Sequence, residues 1–145
     1  MQLLPANRRT PVACPQQSET VVLVADDELA FRQLACTLLR REGYTVISAS
    51  DGEEALALSR TTRSRIQALV TDVDMPRLDG FALAEHIAQE RPETKILIIS
   101  CAPVAQATAA KKGLAFLSKP FLSLNFQQRI REVLACKSNP TEARR

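Results

Sequence analysis

Five acids stand just beyond apolar runs in this chain, and their spacing raises the question of what they hold. Asp26, Asp27 and Glu28 follow Val21–Ala25, and Asp72 and Asp74 close the run that begins Ala68-Leu69-Val70. Asp72 and Asp74 are two positions apart, so an extended strand reaching both would aim them the same way. Like charges gathered at one spot repel: a pair ~4 Å apart costs about 1 kcal/mol in water and about 4 kcal/mol at an intermediate effective dielectric. Such a cluster calls for a cation. Lys119 supplies a single positive charge, too little for the carboxylates gathered there. A hard divalent ion is the natural complement, because Mg²⁺ takes one or two carboxylates together with water and phosphate oxygens. The lone histidine, His86, and the scattered cysteines offer no neighbouring soft donors. The acids therefore point to an ion, and the ion to a phosphoryl group.

These residues can meet only if the chain folds so as to bring them together. Val21–Ala25, Thr45–Ala49, Ala68–Val70 with its acidic end, Lys95–Ser100 and Leu114–Ser118 read as strands, being apolar and rich in β-branched residues. Helical spacing of apolar residues marks Leu29–Arg41, stopped by Gly43, and a second helix over Glu53–Arg60 after the turn pair Asp51-Gly52. A third helix carries Phe81, Ala84, Ile87 and Ala88 and ends by Pro92. A weak, Ala-rich fourth spans Val104–Lys112 with Gly113 as its stop, and a fifth runs from Ser123 to Cys136. Five strands alternating with five helices predict an α/β fold, a parallel sheet covered on both faces. In such sheets ligands bind beyond the carboxyl ends of the strands, where the strand order reverses. Asp26-Asp27-Glu28, Asp72 with Asp74, Ser100, and Lys119-Pro120 all follow strands, so one edge of the sheet should collect them.

Composition narrows the function classes. The chain has 145 residues, 46% apolar and 24% charged, the profile of one globular domain. Its formal charge of +3 lies in the ends: +1 in residues 1–19 and +2 in residues 137–145 leave the middle neutral. Nucleic-acid binding would want a basic stripe with a reading motif, and neither is present. No apolar run is long enough to span a membrane, and the first residues lack the apolar core of a secretory signal. Cys14, Cys36, Cys101 and Cys136 form no C-x-x-C pair and read as reduced thiols of a cytoplasmic protein. The expected organisation is a proline-bearing extension over 1–19, one domain over 20–136 and a polar tail over 137–145, with no output domain.

Four motifs in order carry a resemblance. "VLVADDE", "LVTDVDMPRLDG", the hydroxyl closing "ILIIS", and "FLSKPF" resemble the receiver domains of two-component response regulators, over about residues 20–136. The resemblance implies a CheY-like, flavodoxin-like doubly wound sheet with strand order 2-1-3-4-5. It implies that Asp72 is the phosphoacceptor, its carboxylate becoming an aspartyl phosphate. Asp27 would bind Mg²⁺ directly, Asp26 through water, and Asp74 through its backbone carbonyl, with Asp72 completing the metal shell. Lys119 would contact phosphoryl oxygens as a point charge, and Ser100 would donate its hydroxyl once the group is attached. Phe116 matches an aromatic that changes rotamer with Ser100, and Lys119-Pro120 matches a cis peptide bond, which X–Pro tolerates. The implied donor is a histidine kinase or phosphotransfer protein, and the implied output is binding of a downstream protein, with a homodimer left open. Beyond accepting and losing its own phosphoryl group, the protein is not expected to be an enzyme.

The sequence departs from the family pattern in places. Ser100 and Lys119 are 19 positions apart, a few fewer than the family pattern, with the shortening in and around the fourth helix. Cys101 stands where the family usually has a smaller residue beside the phosphoryl entrance. These departures motivate one rival, a receiver-like adaptor that binds partners without phosphorylation. A second rival reads Asp72-x-Asp74 as the opening of a haloacid-dehalogenase-type phosphatase, although that motif normally lies on the first strand. Plainer roles are also weighed: Asp26-Asp27 as caps of the first helix, Asp79-Gly80 as a turn, and His86 as a solvated surface residue.

Overall fold

A computed structural model describes residues 19–136; the expected tail and all but the last residue of the expected extension, Cys14 included, lie outside them. Within it five strands and five helices alternate: β1 Val21–Ala25, α1 Leu29–Arg41, β2 Thr45–Ala49, α2 Gly52–Thr61, β3 Ala68–Asp72, α3 Gly80–Glu90, β4 Lys95–Ser100, α4 Pro103–Lys112, β5 Ala115–Ser118 and α5 Ser123–Ala135. All strand pairs are parallel, in the order β2-β1-β3-β4-β5. The central strands β1, β3 and β4 are buried almost throughout, whereas edge strands β2 and β5 are only partly so. That difference is why the central three read as continuous apolar runs.

Side-chain alternation along the strands divides the core into two layers. Val22 and Val24 of β1, Ala68 and Val70 of β3, and Leu97 and Ile99 of β4 pack with α1 and α5, whose Leu38, Leu39, Phe126 and Ile130 are buried. The intervening residues, Leu23, Leu69, Ile96 and Ile98 among them, pack with Ala55 and Leu56 of α2, Leu83, Ala84 and Ile87 of α3, and Ala109 of α4. Burying each such large side chain is worth roughly 1.5–3 kcal/mol. The fourth helix is the weakest partner, with only Ala105 and Ala109 buried and Val104 72% exposed. Its C-cap, Gly113, adopts φ 71°, the left-handed geometry that glycine takes without a Cβ penalty.

The expected elements agree with the observed ones to within a residue or two at their ends. Leu114, expected to open the fifth strand, instead belongs to the turn, donating its N–H to the Ala109 carbonyl at 2.9 Å. A larger correction concerns the acid pair. β3 ends at Asp72, opposite Ile99 of β4, so Asp74 is not a strand residue. The Asp72 carboxylate accepts the N–H of Val73 at 2.8 Å, and the chain turns there. Asp74 is exposed in the loop, and the two carboxylates do not share a strand face. No helix among the described residues is long and apolar enough to cross a membrane.

Candidate functional site

The carboxyl edge of the sheet gathers the charged residues. Asp26 directly follows β1 and continues its pairing, its N–H reaching the Ala49 carbonyl at 3.2 Å. Asp26 continues the alternation of Val22 and Val24, and Asp72 that of Ala68 and Val70, so both face the layer of α1 and α5. Lys119 continues the alternation of Ala115 and Leu117 on the same side. One carboxylate oxygen each from Asp26, Asp27 and Asp72 lies within 4.8 Å of the others. Asp26 is buried, Asp72 partly buried and Asp27 exposed, so the cluster opens toward solvent on the Asp27 side. The carboxylate of Asp74 is not a member of this group.

Lys119 is the cation of the cleft. Its ammonium lies 3.0 Å from Asp26 Oδ2 and 3.7 Å from Asp72 Oδ2, with its side chain only 9% exposed. The Lys119-Pro120 peptide is cis, and the Lys119 N–H donates to the Ser100 carbonyl at 3.0 Å, tying the ends of β4 and β5 together. Burial, the largest influence, pushes the Asp72 carboxyl up to about 6; Lys119 pulls it down, while Asp26 and Asp27 push it further up. A single lysine therefore leaves the negative charge under-compensated. The donor set is all oxygen, with no thiol or imidazole in the group, which suits a hard divalent cation such as Mg²⁺. Asp26, Asp27 and Asp72 are the side chains that would hold it.

Ser100 is 1% exposed and closes β4. By alternation it points with Ile96 and Ile98 into the other layer, toward α2, α3 and α4. Its Oγ accepts the N–H of Ala102 at 3.1 Å, which leaves its own proton available to donate. Phe116 lies in that same layer, opposite Ile98 and half-buried, with its carbonyl accepting from Arg129 Nε at 3.2 Å. Cys101 is exposed just beyond Ser100.

Several contacts at this edge have no local signature in the sequence. A Cβ added to Gly80 would lie 2.0 Å from the Asp72 carbonyl oxygen, so this glycine lets α3 start hard against the phosphoacceptor candidate. Asp79 caps α3 by accepting the N–H of Ala82, as the turn reading expects, but Gly80 does more than turn the chain. Arg77, with φ 71°, pairs with Asp51, the N-cap of α2, and so pins the loop after β3. Arg77 is also the chief reason that the Asp51 carboxyl is held below its ordinary range. Asp26 does not cap α1 in the expected way: the N-cap is Glu28, without a side-chain cap bond, while Asp26 Oδ1 accepts the Glu28 N–H at 2.9 Å. Arg32 of α1 donates to the Asp26 carbonyl at 2.7 Å. His86 is 45% exposed and 4.0 Å from Glu90, a surface residue as expected.

Known proteins fit this geometry. The response regulator receiver domain family matches residues 22–131. The "Probable transcriptional regulator ycf27" of Cyanophora paradoxa is 34% identical over 122 residues, 83% of this chain and 50% of that protein. The "Alkaline phosphatase synthesis transcriptional regulatory protein PhoP" of Bacillus subtilis is 32% identical over 116 residues, 78% of this chain and 48% of that protein. The chain thus spans about half the length of these two relatives. The solved structure of the chemotaxis protein CheY4 of Vibrio cholerae superposes with TM-score 0.71 at 28% identity, covering 80% of this chain and 99% of that one. The strand order, the layers and the family match lead to one conclusion: the chain belongs to the response regulator receiver domain family of two-component systems.

Proposed function

We propose that this protein accepts a phosphoryl group on Asp72 from a histidine kinase or phosphotransfer protein and signals through altered protein binding. The observation that carries this reading is the meeting of Asp26, Asp27 and Asp72 with the buried ammonium of Lys119 at one sheet edge. Asp72 Oδ1 is held by the Val73 N–H, while Oδ2 faces Lys119. In the transfer an Asp72 carboxylate oxygen attacks phosphorus. A P–O bond forms as the P–N bond to the donor imidazole breaks, and that ring nitrogen leaves with its electron pair and takes up a proton. Lys119 offsets charge on the phosphoryl oxygens, and Ser100 donates its hydroxyl to them afterwards. Asp27 and Asp72, with Asp26 through water, would hold Mg²⁺, which would supply charge neutralisation for the incoming phosphate oxygens. Asp74 serves through its backbone carbonyl, consistent with its exposed side chain.

The response is a shift between two states of the β4–α4 and β5 region rather than a refolding. On this reading the protein works in the cytoplasm and acts on no group but its own phosphoryl group. The phosphatase rival loses its footing because Asp72-x-Asp74 begins at the end of the third strand, whereas that motif normally lies on the first. The deciding experiment combines the purified protein with Mg²⁺ and acetyl phosphate and records intact mass beside Asp72→Asn. One phosphoryl adduct that needs both Mg²⁺ and Asp72 is expected. A folded wild-type protein that takes no adduct from several donors would favour the adaptor reading.

A further inference from the structure

Lys119 has a third neighbour besides its two acids. Its ammonium sits 4.2 Å from the centroid of the Phe31 ring, well inside the ~6 Å reach of a cation–π contact. The two carboxylates and this ring line one cleft together with Phe121. We propose that Phe31 is a positioning residue for Lys119, its ring face holding the ammonium in the cleft between Asp26 and Asp72.

The geometry gives the ring a specific job. Of the two acids, Asp26 is within hydrogen-bond distance of the ammonium, whereas Asp72, at 3.7 Å, attracts it without a hydrogen bond. A lysine stem has four rotatable bonds, and one hydrogen bond leaves the head considerable freedom. The electron-rich ring face removes part of that freedom and offsets part of the cost of taking the ammonium out of water. The ring is itself braced. It lies 6.0 Å from Phe121, inclined at 54°, and Phe121 stacks on Phe126 at 5.2 Å with an interplanar angle of 19°. Phe126 is fully buried on α5. Thus an aromatic chain runs from the core through Phe121 and Phe31 to the charged head. Arg32, next along α1, meanwhile holds the Asp26 carbonyl. The first turns of α1 therefore fix both partners of the 3.0 Å ion pair, one by backbone and one by ring.

The functional half of this inference rests on Asp72 being the phosphoacceptor; the placement of Lys119 does not, and the test separates them. Four variants serve: Phe31→Leu keeps apolar bulk without a ring face, Phe31→Tyr keeps the face, Lys119→Met removes the charge, and Phe31→Leu is also made in the Lys119→Met background. The first measurement is NMR of lysine-labelled protein without metal or donor. The Lys119 side-chain Hε protons should be shifted upfield by the ring in wild type and in Phe31→Tyr, and return toward ordinary values in Phe31→Leu. The second is the rate of adduct formation with Mg²⁺ and acetyl phosphate. Phe31→Leu should be slower by about three- to tenfold, the range such a contact supports, and Phe31→Tyr near wild type. In the Lys119→Met background Phe31→Leu should add nothing. Unshifted Hε signals in wild type would overturn the placement. A wild-type rate in folded Phe31→Leu, equal slowing by Leu and Tyr, or slowing that persists without Lys119 would overturn the positioning role. A folded wild type that forms no adduct with several donors would sink the phosphoacceptor reading, while the NMR arm still decides where Lys119 is held.

Discussion

Replacing Asp72 by Asn should stabilise the metal-free protein at neutral pH while ending phosphoryl acceptance. Burial above all, with Asp26 and Asp27, raises the Asp72 carboxyl from 3.8 to about 6 despite the opposing pull of Lys119 and the Val73 N–H. The side chain is only 13% exposed, so solvent screening takes little from this effect. An acid whose pKa is raised on folding favours its protonated form, so the native state binds more protons than the unfolded one between those two values. Stability is therefore lost as pH rises from about 3.8 to about 6 and stays lower above that. At ~1.36 kcal/mol per pKa unit, the ionised carboxylate costs the native state about 3 kcal/mol at pH ~7.5 and about half a kcal/mol at pH ~4. Asn carries no charge at either pH. Urea unfolding with EDTA present should then show Asp72→Asn more stable by up to about 3 kcal/mol at the higher pH, with most of that gain gone at the lower. Added Mg²⁺ should narrow the gap, since a ligand at a hundred times its Kd contributes about 2.7 kcal/mol to the form that binds it. A variant no more stable than wild type at pH ~7.5 without metal, or a gain that does not change with pH, would refute the claim that the cluster is under-compensated.

Three further changes probe the scaffold and the output. Gly80→Ala puts a Cβ 2.0 Å from the Asp72 carbonyl, backbone that cannot swing aside; a loss of about 3 kcal/mol in urea unfolding, with little adduct, is expected. Arg91→Ala removes donors that bond the carbonyls of Ser59, Thr62 and Ser64. It should cost about 1–3 kcal/mol while leaving the adduct rate unchanged, because these bonds lie at the end of the sheet away from Asp72. Ser100→Ala should still take the phosphoryl group, but amide chemical-shift changes in α4 and β5 on phosphorylation should shrink; undiminished changes would remove Ser100 from the signalling route.

How much of this was legible in the sequence depends on how local each cause is. The central strands could be read because burial on both faces makes them unbroken apolar runs, and Gly43 and Gly113 mark helix ends by a backbone geometry that favours glycine. The convergence of Asp26, Asp27, Asp72, Ser100 and Lys119 at one edge followed from chain order alone, since every strand of a parallel sheet delivers its carboxyl end to the same side. Asp74 was misplaced because period-two spacing continues only as far as the ladder does, and the ladder stops at Asp72. Gly80 was undervalued because its near neighbour, the Asp72 carbonyl, is brought close by the return of the loop rather than by any pattern. Phe31 lies within the apolar helical pattern of Leu29–Arg41, which by itself marks it as no more than a packing residue. Its contact with Lys119 joins the first helix to the end of the last strand, and nothing along the chain reports such a meeting.

The two-layer core also gives the proposed phosphoryl acceptance and its readout separate supports at one short edge. Asp26, Asp72 and Lys119 share the layer of α1 and α5, where Phe31, Phe121 and the buried Phe126 form a firm backing. Ser100 and Phe116 belong to the layer of α2, α3 and α4, whose α4 buries little. Alternation along the strands forces this division: residues one position apart at a strand end must face opposite ways. The first layer holds the charges against a firm aromatic backing, and the second contains α4, the element with the least to lose by moving. The two halves are joined through backbone, by the 3.0 Å bond from the Lys119 N–H to the Ser100 carbonyl. On the proposed reading, a charge added at Asp72 acts on Lys119 and Ser100 and through them on the ends of β4 and β5, and the weak packing of α4 is what would let a small displacement there become a change of surface.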